Sequence, residues 1–163
     1  KDCCVFRGSA SGYSIYLSEN VRLQLAELGM EDSENFDFKL TSWNKRLKFQ
    51  SNGIVDCINP KRFPFTATKE NFIPMEEQAA FRYIVYADGN VGASRLGRLL
   101  SLGSTVIVIE SNSPQPWLLA SNIIQPGKHY IPAKSVAILP ELLAWCRDNE
   151  DHCRSVALNG KML

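Results

Sequence analysis

Two short stretches carry side chains whose types and spacing suit them to holding a phosphate. One is Asp88-Gly89-Asn90-Val91-Gly92-Ala93-Ser94-Arg95, with Arg98 three residues further on. The other is Phe6-Arg7-Gly8-Ser9, followed by Ala10-Ser11-Gly12. Each joins a guanidinium, which makes forked, charge-assisted hydrogen bonds to phosphate oxygens, to small residues that let a ligand approach the backbone. Each also follows an apolar run suited to a buried strand: 83–87 before the first, 1–7 before the second. Ligands of open α/β sheets gather where strands end, and 7–12 is expected to be a loop there. Gly89 is expected to supply a positive φ in the turn after 83–87. Arg95 and Arg98 fall in the first turns of the helix expected over 91–102. A cation there opposes the helix dipole, so its removal should cost little stability, whereas a phosphate nearby would justify it. Gly89-x-x-Gly92 alone is too short to be a nucleotide fingerprint, and two solvated arginines are the bland alternative.

Other polar and aromatic residues have two readings each. Asp88 either orients a ribose or sugar hydroxyl or simply forms the turn. Arg98 either touches the ligand or pairs with a carboxylate, and Trp43 either stacks on a base or packs beneath the strand before it. Glu110 ends a strand that faces the same cleft, while His129 is expected to be structural. No Ser/His/Asp or Cys/His arrangement supports covalent catalysis, so no catalytic residue is assigned. Two histidines and five cysteines without a C-x-x-C pair offer no metal-ligand spacing. The odd cysteine count favours a reduced, cytoplasmic chain over the secretory lumen.

The elements that must position these groups alternate. Thr105–Ile109 is a second buried strand, and with 83–87 and the intervening helix it makes a βαβ unit. Asn20 can cap a helix over 21–28, with Val21, Leu25 and Leu28 inward and Gly29 closing it. Residues 35–41 alternate Phe36, Phe38 and Leu40 with Asp37, Lys39 and Thr41, the period of a strand. Residues 47–74 read as a loop-rich excursion with a short strand near 54–58, and 75–80 as a short helix. Further helices are expected over 115–121, 136–147 and 151–159, with an edge strand at 128–132 ended by Pro132. These parts predict an α/β fold: a Rossmann-like, mostly parallel sheet with helices on both faces.

With 163 residues, 45% of them apolar and a formal net charge of +1, the chain reads as one globular domain over 1–163. There is no basic excess to mark a nucleic-acid partner. No apolar run reaches the roughly 18 residues of a membrane span. The chain opens on Lys1 in a strand-like run, so it is expected to be a piece of a longer polypeptide.

Six elements occur in a telling order: Phe6-Arg7-Gly8-Ser9, Trp43-Asn44-Lys45-Arg46, the 83–100 run, Gly103-Ser104, His129-Tyr130-Ile131-Pro132-Ala133-Lys134, and Trp145-Cys146-Arg147-Asp148-Asn149. Together they resemble the carboxyl-terminal half of glycosyltransferase family 90, the family of protein O-glucosyltransferases and fungal capsule xylosyltransferases. The resemblance is strongest to the branch carried by large DNA viruses. It implies one half of a GT-B glycosyltransferase that takes a UDP-sugar, inverts the anomeric centre and needs no metal or other cofactor. It implies a glycan or protein acceptor, a preceding acceptor-binding domain absent from 1–163, and, for a virus, the host cytoplasm. Arg7, with Gly8 and Ser9, and Arg95 map onto the arginine motifs that contact the diphosphate; Gly92, Ala93 and Ser94 map onto the small residues beside the donor. Ser94 stands where the family has an aromatic residue. A non-catalytic nucleotide- or protein-binding module is the alternative. A dehydrogenase-type Rossmann domain is a weaker rival, because Gly-x-Gly-x-x-Gly is missing.

Overall fold

The computed structural model describes residues 1–50, 53, 55–90, 95–110 and 122–163. Among these described residues, five strands form one sheet: β1 (Cys4–Ala10), β2 (Phe36–Trp43), β5 (Tyr83–Tyr86), β6 (Thr105–Ile109) and β7 (Ile131–Ala133). Their order is β2-β1-β5-β6-β7, and every neighbouring pair is parallel. The chain steps outward from β1 to β2, then returns to β1's other side and runs on through β7. That reversal between β1 and β5 is the switch point at which open α/β sheets hold ligands. A two-stranded hairpin, β3 (Lys48–Phe49) with β4 (Val55–Asp56), stands apart.

Alternate residues of each strand serve opposite faces, as the two-residue period requires. Cys4, Phe6, Tyr83, Val85, Ile107 and Ile109 enter one apolar cluster, which α1 (Val21–Glu31), α3 (Leu139–Asp148) and α4 (Glu150–Lys161) cover. Val5, Ile84, Tyr86, Val106 and Val108 enter a second, covered by Leu96, Leu99 and Leu100 of α2 (Leu96–Ser101). The strands are apolar throughout because both faces are covered.

Several expectations need correcting. Residues 7–10 belong to β1 and are not a loop, because β2 supplies partners for them: Arg7↔Lys39, Gly8↔Leu40, then a register shift to Ser9↔Ser42. Asn20 does cap α1, accepting from the Arg22 and Leu23 amides at 3.1 and 3.3 Å. That helix, however, runs on through Gly29 to Glu31, and its buried residues are Arg22, Leu23, Leu25 and Ala26. Pro132 sits inside β7 opposite Val108, tolerated because β7 is an edge strand. The short helix expected over 75–80 is a 3-10 turn, Glu76–Ala80. The helix expected over 115–121 and the first residues of the one expected over 91–102 lie outside the described residues.

Candidate functional site

The carboxyl ends of β1 and β5 are tied together by Arg22. This side chain rises from the first turn of α1 and is 7% exposed. Its Nε donates to the Asp88 carbonyl at 2.9 Å and its Nη2 to the Ala87 carbonyl at 3.0 Å. Its Nη1 donates to the Ser9 carbonyl at 3.1 Å and to Ser11 Oγ at 2.8 Å. Burial and the nearby charge of Arg95 pull its pKa down to about 10, which leaves it charged at neutral pH. Lys48, from the hairpin, adds a second tie by donating Nζ to Asn90 Oδ1 and to the Gly12 carbonyl. The Gly12 amide donates to the same Asn90 oxygen at 3.0 Å.

Asp88 is part of this frame: its Oδ1 accepts from the Tyr86 hydroxyl at 2.7 Å. Gly89 is required for close approach and does not carry a positive φ. A Cβ there would lie 2.8 Å from Ser11 Oγ and 3.3 Å from Arg22 Nη2.

Arg7 and Arg95 come together beside this frame, on one cavity of about 350 Å³. Its walls include Gly8, Thr41, Arg98 and the 72–76 segment. Arg7, 5% exposed, gives Nη2 to Asp37 Oδ2 at 2.8 Å and Nη1 to the carbonyls of Phe6 and Asp37. Arg95 gives Nη1 to the Arg7 carbonyl, and its guanidinium carbon lies 5.2 Å from the centre of the Phe6 ring. The buried Nε of Arg7 and the buried Nε of Arg95 have no hydrogen-bond partner among the described residues. Three guanidiniums in the lining of one cavity, those of Arg7, Arg95 and Arg98, make an anion a suitable occupant. Burial lowers the pKa of Arg95. Burial alone would raise that of Asp37, but the hydrogen bond and charge of Arg7, with Lys39, outweigh it and hold the carboxyl below its ordinary value.

Of the residues expected from sequence, Arg7, Gly8 and Arg95 therefore meet at the cavity, while Ser9 and Asp88 build the adjoining frame. Gly92, Ala93 and Ser94 lie outside the described residues. Arg95 stands at the N-cap of the described helix, half-buried and bonded to β1, not in a solvated first turn. Arg98 pairs with Glu76 at 2.7 Å on the exposed rim. Trp43 packs: it stacks on Phe63 and Phe65 with centroids 5.8 and 6.1 Å away. His129 is structural, its Nδ1 accepting from the Gln125 amide at 2.9 Å. Arg22 and Lys48 were not singled out by sequence, although Arg22 shows the mispolarised helix-start placement that drew attention to Arg95. A separate cavity of about 280 Å³ lies at the opposite, amino ends of β5 and β6, beside Arg82 and Glu150. Among the described residues no group of three or more His, Cys, Asp or Glu is placed to hold a metal ion. Nor, among them, is any helix long and apolar enough to cross a membrane.

A five-stranded parallel sheet with helices on both faces is an α/β, Rossmann-like domain, and a basic cavity beside its switch point suits an anionic ligand. The chain belongs to Glycosyl transferase family 90, whose sequence profile matches residues 4–163. It is 31% identical over 157 residues to the uncharacterized protein 035R of Invertebrate iridescent virus 3, covering 95% of this chain and 14% of the relative. It is 32% identical over 168 residues to the uncharacterized protein 027R of Frog virus 3 (isolate Goorha), covering 98% of this chain and 17% of the relative. To the uncharacterized protein 179R of Invertebrate iridescent virus 6 it is 29% identical over 170 residues, with 94% and 14% covered. These relatives place it with proteins of large DNA viruses, and the chain spans between 14% and 17% of their length.

Proposed function

We propose that this chain is the donor-binding half of a GT-B glycosyltransferase that moves a sugar from a UDP-sugar to an acceptor hydroxyl. The supporting observation is that two arginines far apart in sequence, Arg7 and Arg95, line one cavity beside the switch point. In the reaction the acceptor oxygen forms a bond to the anomeric carbon from the face opposite the leaving group. The bond from that carbon to the diphosphate oxygen breaks, and UDP leaves with the electron pair. Fixed guanidinium donors stabilise charge that grows on the leaving diphosphate, and they support a displacement without a metal ion. The base that takes the acceptor's proton is assigned to no residue of this chain. Family membership supports a nucleotide sugar and an acceptor as partners; the viral relatives support an infected cell as the setting, and the cytoplasm is proposed within it.

Calorimetric titration with UDP, GDP and dTDP, each with and without EDTA, tests this reading, alongside an assay for donor hydrolysis. UDP is expected to bind best, with an affinity that EDTA leaves within about twofold, a difference well under the ~1.4 kcal/mol of a tenfold change. Binding without sugar transfer by the isolated chain fits a donor half, and a nucleotide-binding module gives the same result. Adding the polypeptide that accompanies this domain separates the two, since only a transferase gains turnover.

A further inference from the structure

The rim of the arginine-lined cavity carries a residue that neither the sequence motifs nor the family match singles out. Phe72 lines the cavity together with Arg7 and Arg95, yet its side chain is 64% exposed. Exposure orders the lining: Arg7, at 5%, forms the floor, while Phe72 stands at the mouth with the Arg98–Glu76 pair.

A lone exposed aromatic is ordinary, but this one sits on a backbone fixed from both sides. Before it, Asn71 donates its Nδ2 to the Leu40 carbonyl of β2 at 2.9 Å, and the Thr68 amide donates to the same carbonyl. After it, Gln78 donates Nε2 to the Ile73 carbonyl at 3.1 Å, while Ile73 and Met75 pack into the second apolar cluster. Phe72's own amide donates to the Lys69 carbonyl at 3.0 Å. The chain thus turns Ile73 inward and leaves Phe72 exposed on the cavity's lining. An aromatic ring on a fixed backbone has only two side-chain torsions to order when a flat ligand settles on it.

We infer that Phe72 is the stacking platform for the nucleobase of the donor, an inference that rests on the donor-site reading above. A diphosphate on the Arg7 and Arg95 floor directs one end of the nucleotide to the rim. There an aromatic face is complementary to a base and offers nothing to a bare phosphate. Phe72 accordingly sets affinity for the nucleoside part, and the arginines set affinity for the diphosphate.

The test titrates UDP and inorganic pyrophosphate into the wild type, Phe72→Ala, Phe72→Trp and Arg95→Ala, with melting curves as a folding control. From the usual strength of base–aromatic stacking, Phe72→Ala should weaken UDP about tenfold and leave pyrophosphate within about twofold. Phe72→Trp should keep UDP binding near wild type. Unchanged UDP affinity in Phe72→Ala overturns the inference, and so does an equal loss for UDP and pyrophosphate, which would mean that the ring only shapes the arginine floor. If Arg95→Ala weakens both ligands while Phe72→Ala weakens neither, the base platform alone falls. If the wild type binds neither ligand, the donor-site reading falls with it.

Discussion

Replacing Arg22 by Met removes the guanidinium, whose carbon lies 5.7 Å from the centre of the Phe6 ring, and keeps an unbranched apolar side chain of similar reach. Four hydrogen bonds go: those to the carbonyls of Ser9, Ala87 and Asp88, and that to Ser11 Oγ. Bonds involving a charged donor contribute about 1.5–3 kcal/mol each, but burying the cation costs several kcal/mol in return. With buried acceptors left unsatisfied at about 1–3 kcal/mol each, offset by relief of the cation's burial, the net loss should be about 3–5 kcal/mol. For a chain of 163 residues that lowers Tm by about 6–20 °C. Arg22→Lys should recover less than half, because one ammonium cannot reach all four acceptors in a planar fork. Thermal and urea melts at neutral pH measure both variants. An Arg22→Met melt within about 2 °C of wild type, under 1 kcal/mol at this size, would show that the four bonds yield no net stability. The tie between β1 and β5 would then be a consequence of the fold and not a cause of it.

Two further outcomes follow from close contacts and charge. Gly29→Ala should destabilise by about 2 kcal/mol or more, although Ala exceeds Gly in helix propensity by about 1 kcal/mol, because its Cβ would lie 2.5 Å from the Phe38 carbonyl oxygen; a stability gain in urea melts would contradict the packing of α1 on β2. Asp37 has a folded pKa below its ordinary 3.8, so its contribution is fully present above that value and is lost as pH falls through the lowered folded pKa. Asp37→Asn should therefore be less stable than wild type at neutral pH, and the gap should shrink as pH falls below 3.8; a gap that stays constant with pH would contradict the Arg7–Asp37 pairing.

The central βαβ was legible because buried parallel strands announce themselves: Tyr83–Tyr86 and Thr105–Ile109 are continuous β-branched and aromatic runs between turn signals. The second half of β1 was not legible. Gly8, Ser9 and Ala10 read locally as a loop, and only pairing with β2 makes them a strand. Gly29 misled in the same way. It looked like a helix end, and it is instead a helix residue kept small by the Phe38 carbonyl. Sequence singled out Arg7 and Arg95 through their motifs, and the fold brings both to one cavity. It did not single out Arg22, Lys48 or Phe72, whose placement depends on parts distant in sequence: Asp88, Asn90 and the cavity between β1 and the 72–78 segment. It also treated Arg95 as a surface cation, whereas the fold half-buries it against β1.

The central claim is that Arg95 serves the nucleotide diphosphate, and the most direct measurement is the UDP affinity of Arg95→Ala by calorimetry. A bidentate arginine–phosphate contact is a charge-assisted bond of about 1.5–3 kcal/mol, so affinity should fall roughly ten- to a hundredfold. Arg95→Lys should restore only part of it, lacking the planar fork. Arg95→Ala also loses the bond to the Arg7 carbonyl, so its melting point will drop, and the titration belongs well below that temperature. A folded Arg95→Ala protein that binds UDP as tightly as wild type would contradict the assignment of the donor site.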